Sequence, residues 1–193
     1  LDTPENLGTQ ARAKSPQSTF DLRLCDARNK IPGPLQPEHY QTMTIDMLTF
    51  VRKRNIKYDG VVGIPQSGVP FAKAYREAHE RLYDALTVSP RLKKNSGKNG
   101  HTRFSVTPDA ATPSRKPRIL LIGDSISGGT SEFSATQALR NAGYNVVGVA
   151  AYFDQELGGQ RVLETHGVPT VHVQKISTLL EHYELHKIIP KDR

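Results

Sequence analysis

One cysteine, Cys25, stands in a chain of 193 residues, so an internal disulfide and any multi-cysteine metal site are excluded. No Cys/His signature accompanies it, and it reads as a small, partly buried residue rather than a thiol nucleophile. No apolar stretch approaches the roughly 20 residues that a membrane-spanning helix requires, and the N-terminus lacks the apolar segment of a secretory signal. A soluble, cytoplasmic protein without a membrane partner is expected. His166, His172, His182 and His186 lack metal-ligand spacing and read as surface or core residues. Aromatic residues are scarce where the positive charge is densest, with Phe104 alone there.

That charge is concentrated. Arg91, Lys93, Lys94, Lys98, Arg103, Arg115, Lys116 and Arg118 face only Asp109, so this segment alone carries the +7 of the whole chain and the remainder is neutral. A local cationic segment implies an anionic partner at one place, a polyphosphate or a nucleic acid backbone. From Ser89 to about Lys116 the apolar content is low, and the spacing predicts one long basic loop, of the kind that is usually functional.

The length and a hydrophobic content of 36% suit one α/β domain. Residues 1–18 form a polar arm expected to be mobile, 19–187 the domain and 188–193 a tail. Phe20 to Leu24 alternates apolar and polar residues like a half-buried strand. Pro32, Gly33, Pro34 and Pro37 make a connector. A helix is expected over Glu38 to Asn55, with Arg52, Lys53 and Arg54 complementing its dipole. A strand over Tyr58 to Ile64 leads through the turn Pro65-Gln66-Ser67-Gly68-Val69-Pro70 into a helix over Phe71 to Arg81, and Leu86 to Val88 suits a short strand. Later units are helix Glu132 to Asn141 capped at Gly143, strand Val146 to Phe153, helix Gln160 to His166, strand Thr170 to Val173 and helix Ile176 to Leu185. Repeated β-α alternation implies a doubly wound, mostly parallel sheet with ligands at the carboxyl ends of its strands.

The most informative stretch is Ile119-Leu-Leu-Ile-Gly-Asp-Ser-Ile-Ser-Gly-Gly-Thr-Ser131: a buried strand, one carboxylate, a Gly/Ser/Thr turn, then a helix. Gly128 and Gly129 can take positive φ and let backbone N–H groups converge on an anion, and Ser127, Thr130 and Ser131 add hydroxyl donors. Asp124 would face whatever carries the phosphate. Asp154 and Glu156, at the end of the apolar strand, suit either a Mg²⁺ or ribose contact or simply a turn-stabilising role.

Taken together, Phe20-Asp21-Leu22-Arg23, Asp59 to Pro65, Ile119 to Ser131, Gly143 to Val146 and Phe153 to Gly159 followed by His166-Gly167-Val168 resemble the type I phosphoribosyltransferases, and among them the orotate phosphoribosyltransferase branch. The resemblance runs from about Thr19 to Glu181. It implies a small N-terminal hood, a homodimer, Mg²⁺ as cofactor, and phosphoribosyl pyrophosphate or a nucleoside monophosphate as ligand. Pro65, Gln66, Ser67 and Gly68 would hold the pyrophosphate. Asp124, Ser125, Ile126, Ser127, Gly128, Gly129, Thr130 and Ser131 would hold the ribose and its 5-phosphate, with Asp124 reaching the metal through ribose or water. Arg91, Lys93 and Lys94 would act with Asp124 in catalysis from a flexible loop, and Phe153 and Gln155 would meet the base.

The chain departs from that pattern at two positions. Gly123 stands where the family usually has a second acid, and Gln155 where orotate enzymes have an arginine; glutamine cannot form the bidentate ionic pair that a carboxylate accepts from arginine. A base other than orotate is therefore expected. The alternative is a non-catalytic homologue that binds nucleotide or nucleic acid in a regulatory or assembly role. His101, just past the loop glycines, reads as a solvated loop histidine.

Overall fold

The computed structural model describes residues 35–96, 102–109 and 116–186. The N-terminal arm, the strand over Phe20 to Leu24, the hood, Cys25, Lys98, His101, Arg115 and the tail after 187 lie outside the described residues.

Helix α1, Pro37–Lys53, starts with proline in its first turn, where no intrahelical N–H is needed, and ends on Arg52 and Lys53. Thr44, Met47, Leu48 and Val51 are its buried stripe, while Phe50 turns outward. Strand β1, Gly60–Gly63, leads into α2, Gly68–Leu82. That helix begins three residues before the expected Phe71. Pro70 falls in its first turn, so the proline that read as part of the connecting turn is tolerated inside the helix.

The basic segment is not one long loop. Arg91–Ser96 (β2) and Thr102–Thr107 (β3) form an antiparallel hairpin in which Leu92 pairs with Val106 and Lys94 with Phe104. Leu92, Phe104 and Val106 pack on the core, which supplies the burial that a loop would lack. The period-2 alternation of Arg103-Phe104-Ser105-Val106-Thr107 carries this strand, and the surrounding charge masks it. Asp109 closes the stem by accepting the Ser89 backbone N–H at 2.7 Å.

Strand β4, Arg118–Ile122, is followed by a two-residue strand β5, Ser125–Ile126, and helix α3, Thr130–Asn141. Then come β6, Asn145–Asp154; α4, Gly159–Thr165; β7, Thr170–Lys175; and α5, Ile176–Leu185. Leu86 to Val88 contributes only a parallel bridge from Val88 to Gly60. The main sheet is parallel in the order β1-β4-β6-β7, and β5 pairs with the carboxyl end of β6 after β4 has left it. Central β6 is nearly all apolar because both of its faces are covered.

Alternation along β4 sends Ile119 and Leu121 to the face covered by α3 and the hairpin, where they join Ala135, Leu139 and Val149 in one cluster. Leu120 and Ile122 face the opposite side, where α1 and α2 pack. At the amino ends of the strands Arg118 Nη2 pairs with Asp59 Oδ1 at 2.8 Å, tying β4 to the residue before β1. Among the described residues no helix is long and apolar enough to cross a membrane.

Candidate functional site

Because β1, β4 and β6 are adjacent and parallel, their carboxyl ends present three turns side by side, and glycines let those turns touch backbone to backbone. A Cβ on Gly63 would sit 2.5 Å from Gly68 O, and one on Gly68 would overlap Ile122 O. The start of α2 thus lies directly on the ends of β1 and β4. The Pro65-Gln66 peptide here is cis. Gln66 is exposed, and the half-buried Ser67 donates its hydroxyl to Asp124 Oδ1 at 2.7 Å. Two of the anticipated groups, the Ser67 turn and Asp124, are therefore joined directly.

The second turn follows Asp124. Ser125 and Ile126 belong to the short strand β5 rather than to an open loop, pairing with Phe153 and Asp154. Only Gly129 of the two glycines takes positive φ, at 79°; Gly128 does not, which corrects the expectation for it. Gly129 leans on the third turn, since a Cβ there would lie 2.9 Å from Gly159 O. In return Gly159 N–H donates to Ser127 O at 2.9 Å. Gly128 is exposed, and a Cβ on it would meet nothing within 4 Å. The turn is thus held from below and open above. Helix α3 starts at Thr130, so its first N–H groups, with the hydroxyls of exposed Thr130 and half-exposed Ser131, border that open side.

In the third turn Asp154 Oδ1 accepts the Glu156 N–H at 2.9 Å, which makes Asp154 the turn-stabilising residue. Glu156 holds φ at 56° and is tied to the start of α5 through the Ser177 N–H at 2.9 Å and Lys175 at 3.9 Å. The Ser177 bonds hold the Glu156 carboxyl below its usual range. Gln155 donates its amide to Ser125 Oγ at 3.0 Å. Phe153 is buried in β6 with its ring against Tyr152, so it forms a wall beside the turn.

Arg91, Lys93 and Lys94 are exposed on β2, and strand alternation divides them. Lys94 shares the face of Leu92, Phe104 and Val106, whereas Arg91 and Lys93 share the opposite face with Ser105 and Thr107. Among the described residues no group of three His, Cys, Asp or Glu side chains could hold a metal ion.

The pattern of the sequence did not single out Glu132. It sits in the first turn of α3, only 8% exposed. Burial raises its carboxyl above the usual 4.5, its own backbone N–H opposes that rise, and the charge of Asp124 adds to it. The signal available in the sequence was a carboxylate on the Glu132, Ala135, Thr136, Leu139 stripe that faces the sheet.

Two outcomes are expected from this packing. Gly159→Ala should cost about 1–3 kcal/mol in urea unfolding, because the added methyl overlaps Ser127 O and lies 2.7 Å from Gly129 N. Glu132 binds a proton more readily folded than unfolded, so its ionisation removes stability as pH rises from about 4.5 through its folded value. Glu132→Gln should therefore melt at a higher temperature than the parent near neutral pH. The gap should close below about 4.5.

No protein-family model matches the chain. The orotate phosphoribosyltransferase of Corynebacterium glutamicum strain R is 33% identical over 112 residues, 58% of this chain and 56% of that enzyme. The chain thus spans little more than half the length of the curated relatives it matches. Among solved structures, orotate phosphoribosyltransferase from Aeropyrum pernix superposes with a TM-score of 0.58 at 22% identity, covering 77% of this chain and 78% of that one. The adenine phosphoribosyltransferase of Saccharomyces cerevisiae, solved with adenine, gives 0.56 at 16% identity, covering 72% and 81%. The sheet order, the three glycine-packed turns and these similarities together show that the chain has the orotate phosphoribosyltransferase-like form of the type I phosphoribosyltransferase fold.

Proposed function

We propose that this protein is a phosphoribosyltransferase, moving ribose 5-phosphate from phosphoribosyl pyrophosphate to a nitrogenous base other than orotate and releasing pyrophosphate. The observation that carries this reading is the 2.7 Å bond from Ser67 to Asp124, which unites two anion-facing turns into one cradle. In that cradle the 5-phosphate takes the open side of the Ser127 to Ser131 turn, where backbone N–H groups and hydroxyls converge. Asp124 accepts a ribose hydroxyl, and the turn over Pro65, Gln66, Ser67 and Gly68 holds the pyrophosphate.

In the reaction the bond from the anomeric carbon to the pyrophosphate oxygen breaks while a bond to a base nitrogen forms. Negative charge grows on the leaving group, and cations near it lower the barrier. Arg91 and Lys93, which share one face of the hairpin, would supply such cations, with Lys94 on the other face. Mg²⁺, when bound, neutralises charge on the diphosphate. The donor set fits an ion carried by that substrate: Asp124 would reach it through ribose or water, and no caged cluster is offered among the described residues.

Gln155 and the wall of Phe153 line the base side. With its amide turned to Ser125, Gln155 presents a neutral hydrogen-bonding group, which suits an uncharged base edge and not a carboxylate. Phe104, the one aromatic of the basic segment, packs against the core, which favours the small-molecule reading over nucleic acid binding. The proposal includes a homodimer, as the resemblance implies, and a cytoplasmic location, as expected from the sequence.

Calorimetric titration with phosphoribosyl pyrophosphate and Mg²⁺ should give saturable heat, and Asp124→Asn should weaken it by about tenfold to a hundredfold. Pyrophosphate release should appear with a neutral purine or pyrimidine, not with orotate, and stop on adding EDTA. No heat at millimolar ligand contradicts the reading.

A further inference from the structure

We propose that the cavity between α1, β7 and the first turn of α5 is a second binding site, which takes a small organic anion joining an apolar ring to a phosphate or carboxylate. This site stands apart from the reading under Proposed function, because no residue of the three strand-end turns lines it.

The cavity has a volume of about 330 Å³. That is the lower end of the range for small-ligand sites and suits one ring with a charged substituent. Strand β7 pairs with β6 alone, so its other edge is open among the described residues, and Val171 to Lys175 run along the cavity. Phe50 and Arg54, one helical turn apart at the end of α1, border it together. Thr178, in the first turn of α5, adds a hydroxyl.

The lining is one-sided in charge. Phe50, Val171 and Val173 give it apolar surface, Arg54 and Lys175 give it two cations, and no Asp or Glu lines it. Lys53 brings a third positive charge to the border, with its Nζ 5.2 Å from the centre of the Phe50 ring. Arg54 is exposed and has no ion pair among the described residues. Lys175 meets Glu156 only at 3.9 Å, in a solvent-exposed pair that contributes little, and the same carboxylate accepts the Ser177 N–H. Cations gathered around a concave space without a counter-charge attract an anion. A second, independent observation concerns His172. It lines the same cavity, and its Nδ1 is buried without a hydrogen-bond partner. Buried polar atoms are nearly always paired, so the fold leaves hydrogen-bonding capacity unused at this place.

The test is an NMR titration of the backbone amides of the full chain with phenyl phosphate, benzoate and benzyl alcohol. Phenyl phosphate or benzoate should give saturable shifts at residues 50–54, 171–175 and 178. Saturation by both assigns the site to aromatic anions in general, and saturation by one alone names the head group. Benzyl alcohol, with the same ring and no charge, should bind at least about tenfold more weakly, as should the anion to Arg54→Gln. The backbone N–H of Arg54, not its side chain, caps α1, so this variant keeps the helix end. Lys175→Gln gives a second reading from a different element and should weaken the anion in the same direction. Shifts confined to residues 127–132, no shifts at millimolar anion, equal binding of benzyl alcohol, or undiminished binding by both variants overturns the proposal. Binding here by a protein that ignores phosphoribosyl pyrophosphate would uphold this site and contradict the reading under Proposed function.

Discussion

The hydrogen bond from Ser67 to Asp124 is the contact on which the rest of the site depends. It joins residues 57 positions apart, and it forms because two parallel strands end side by side with glycines that let their turns approach. Neither turn is shaped by itself. Gly68 must lie against Ile122 for Ser67 to reach the carboxylate, and Gly159 must lie against Ser127 for the next turn to keep its opening. The specificity of the arrangement resides in backbone contacts, which a side-chain inventory alone would not show.

The β-α alternation was legible from hydrophobic periodicity, and α5 falls on its expected residues, Ile176–Leu185. So was the gathering of the Ser67 and Asp124 turns at the carboxyl ends of adjacent parallel strands. The hairpin over Arg91 to Thr107 was not, because its charges hide an alternation that becomes visible only once Leu92, Phe104 and Val106 have a core to face. The two-residue strand at Ser125 and Ile126 was also hidden. Its pairing partners, Phe153 and Asp154, lie in a distant part of the sequence, and no local propensity encodes that contact.

Position 123 shows the limit of motif matching most clearly. Read along the chain, Gly123 is a missing acid. Read in space, the chain buries a different carboxylate, Glu132, on a helix stripe that otherwise packs as core. Burying Glu132 works against stability near neutral pH, and that conflict between folding and a polar group is where function is commonly found. Gln155 likewise depends on contacts that the motif does not show. Its bond to Ser125 sets how the amide is presented, and Ser125 is itself positioned by β6.

The central claim, that the open side of the Ser127 to Ser131 turn is an anion site for a sugar phosphate, is tested most directly by NMR titration of the backbone amides with ribose 5-phosphate. The account predicts saturable shifts concentrated at residues 127–132 and at Asp124. Shifts confined to the Arg91 to Thr107 hairpin, or none at the turn at saturating ligand, would contradict it.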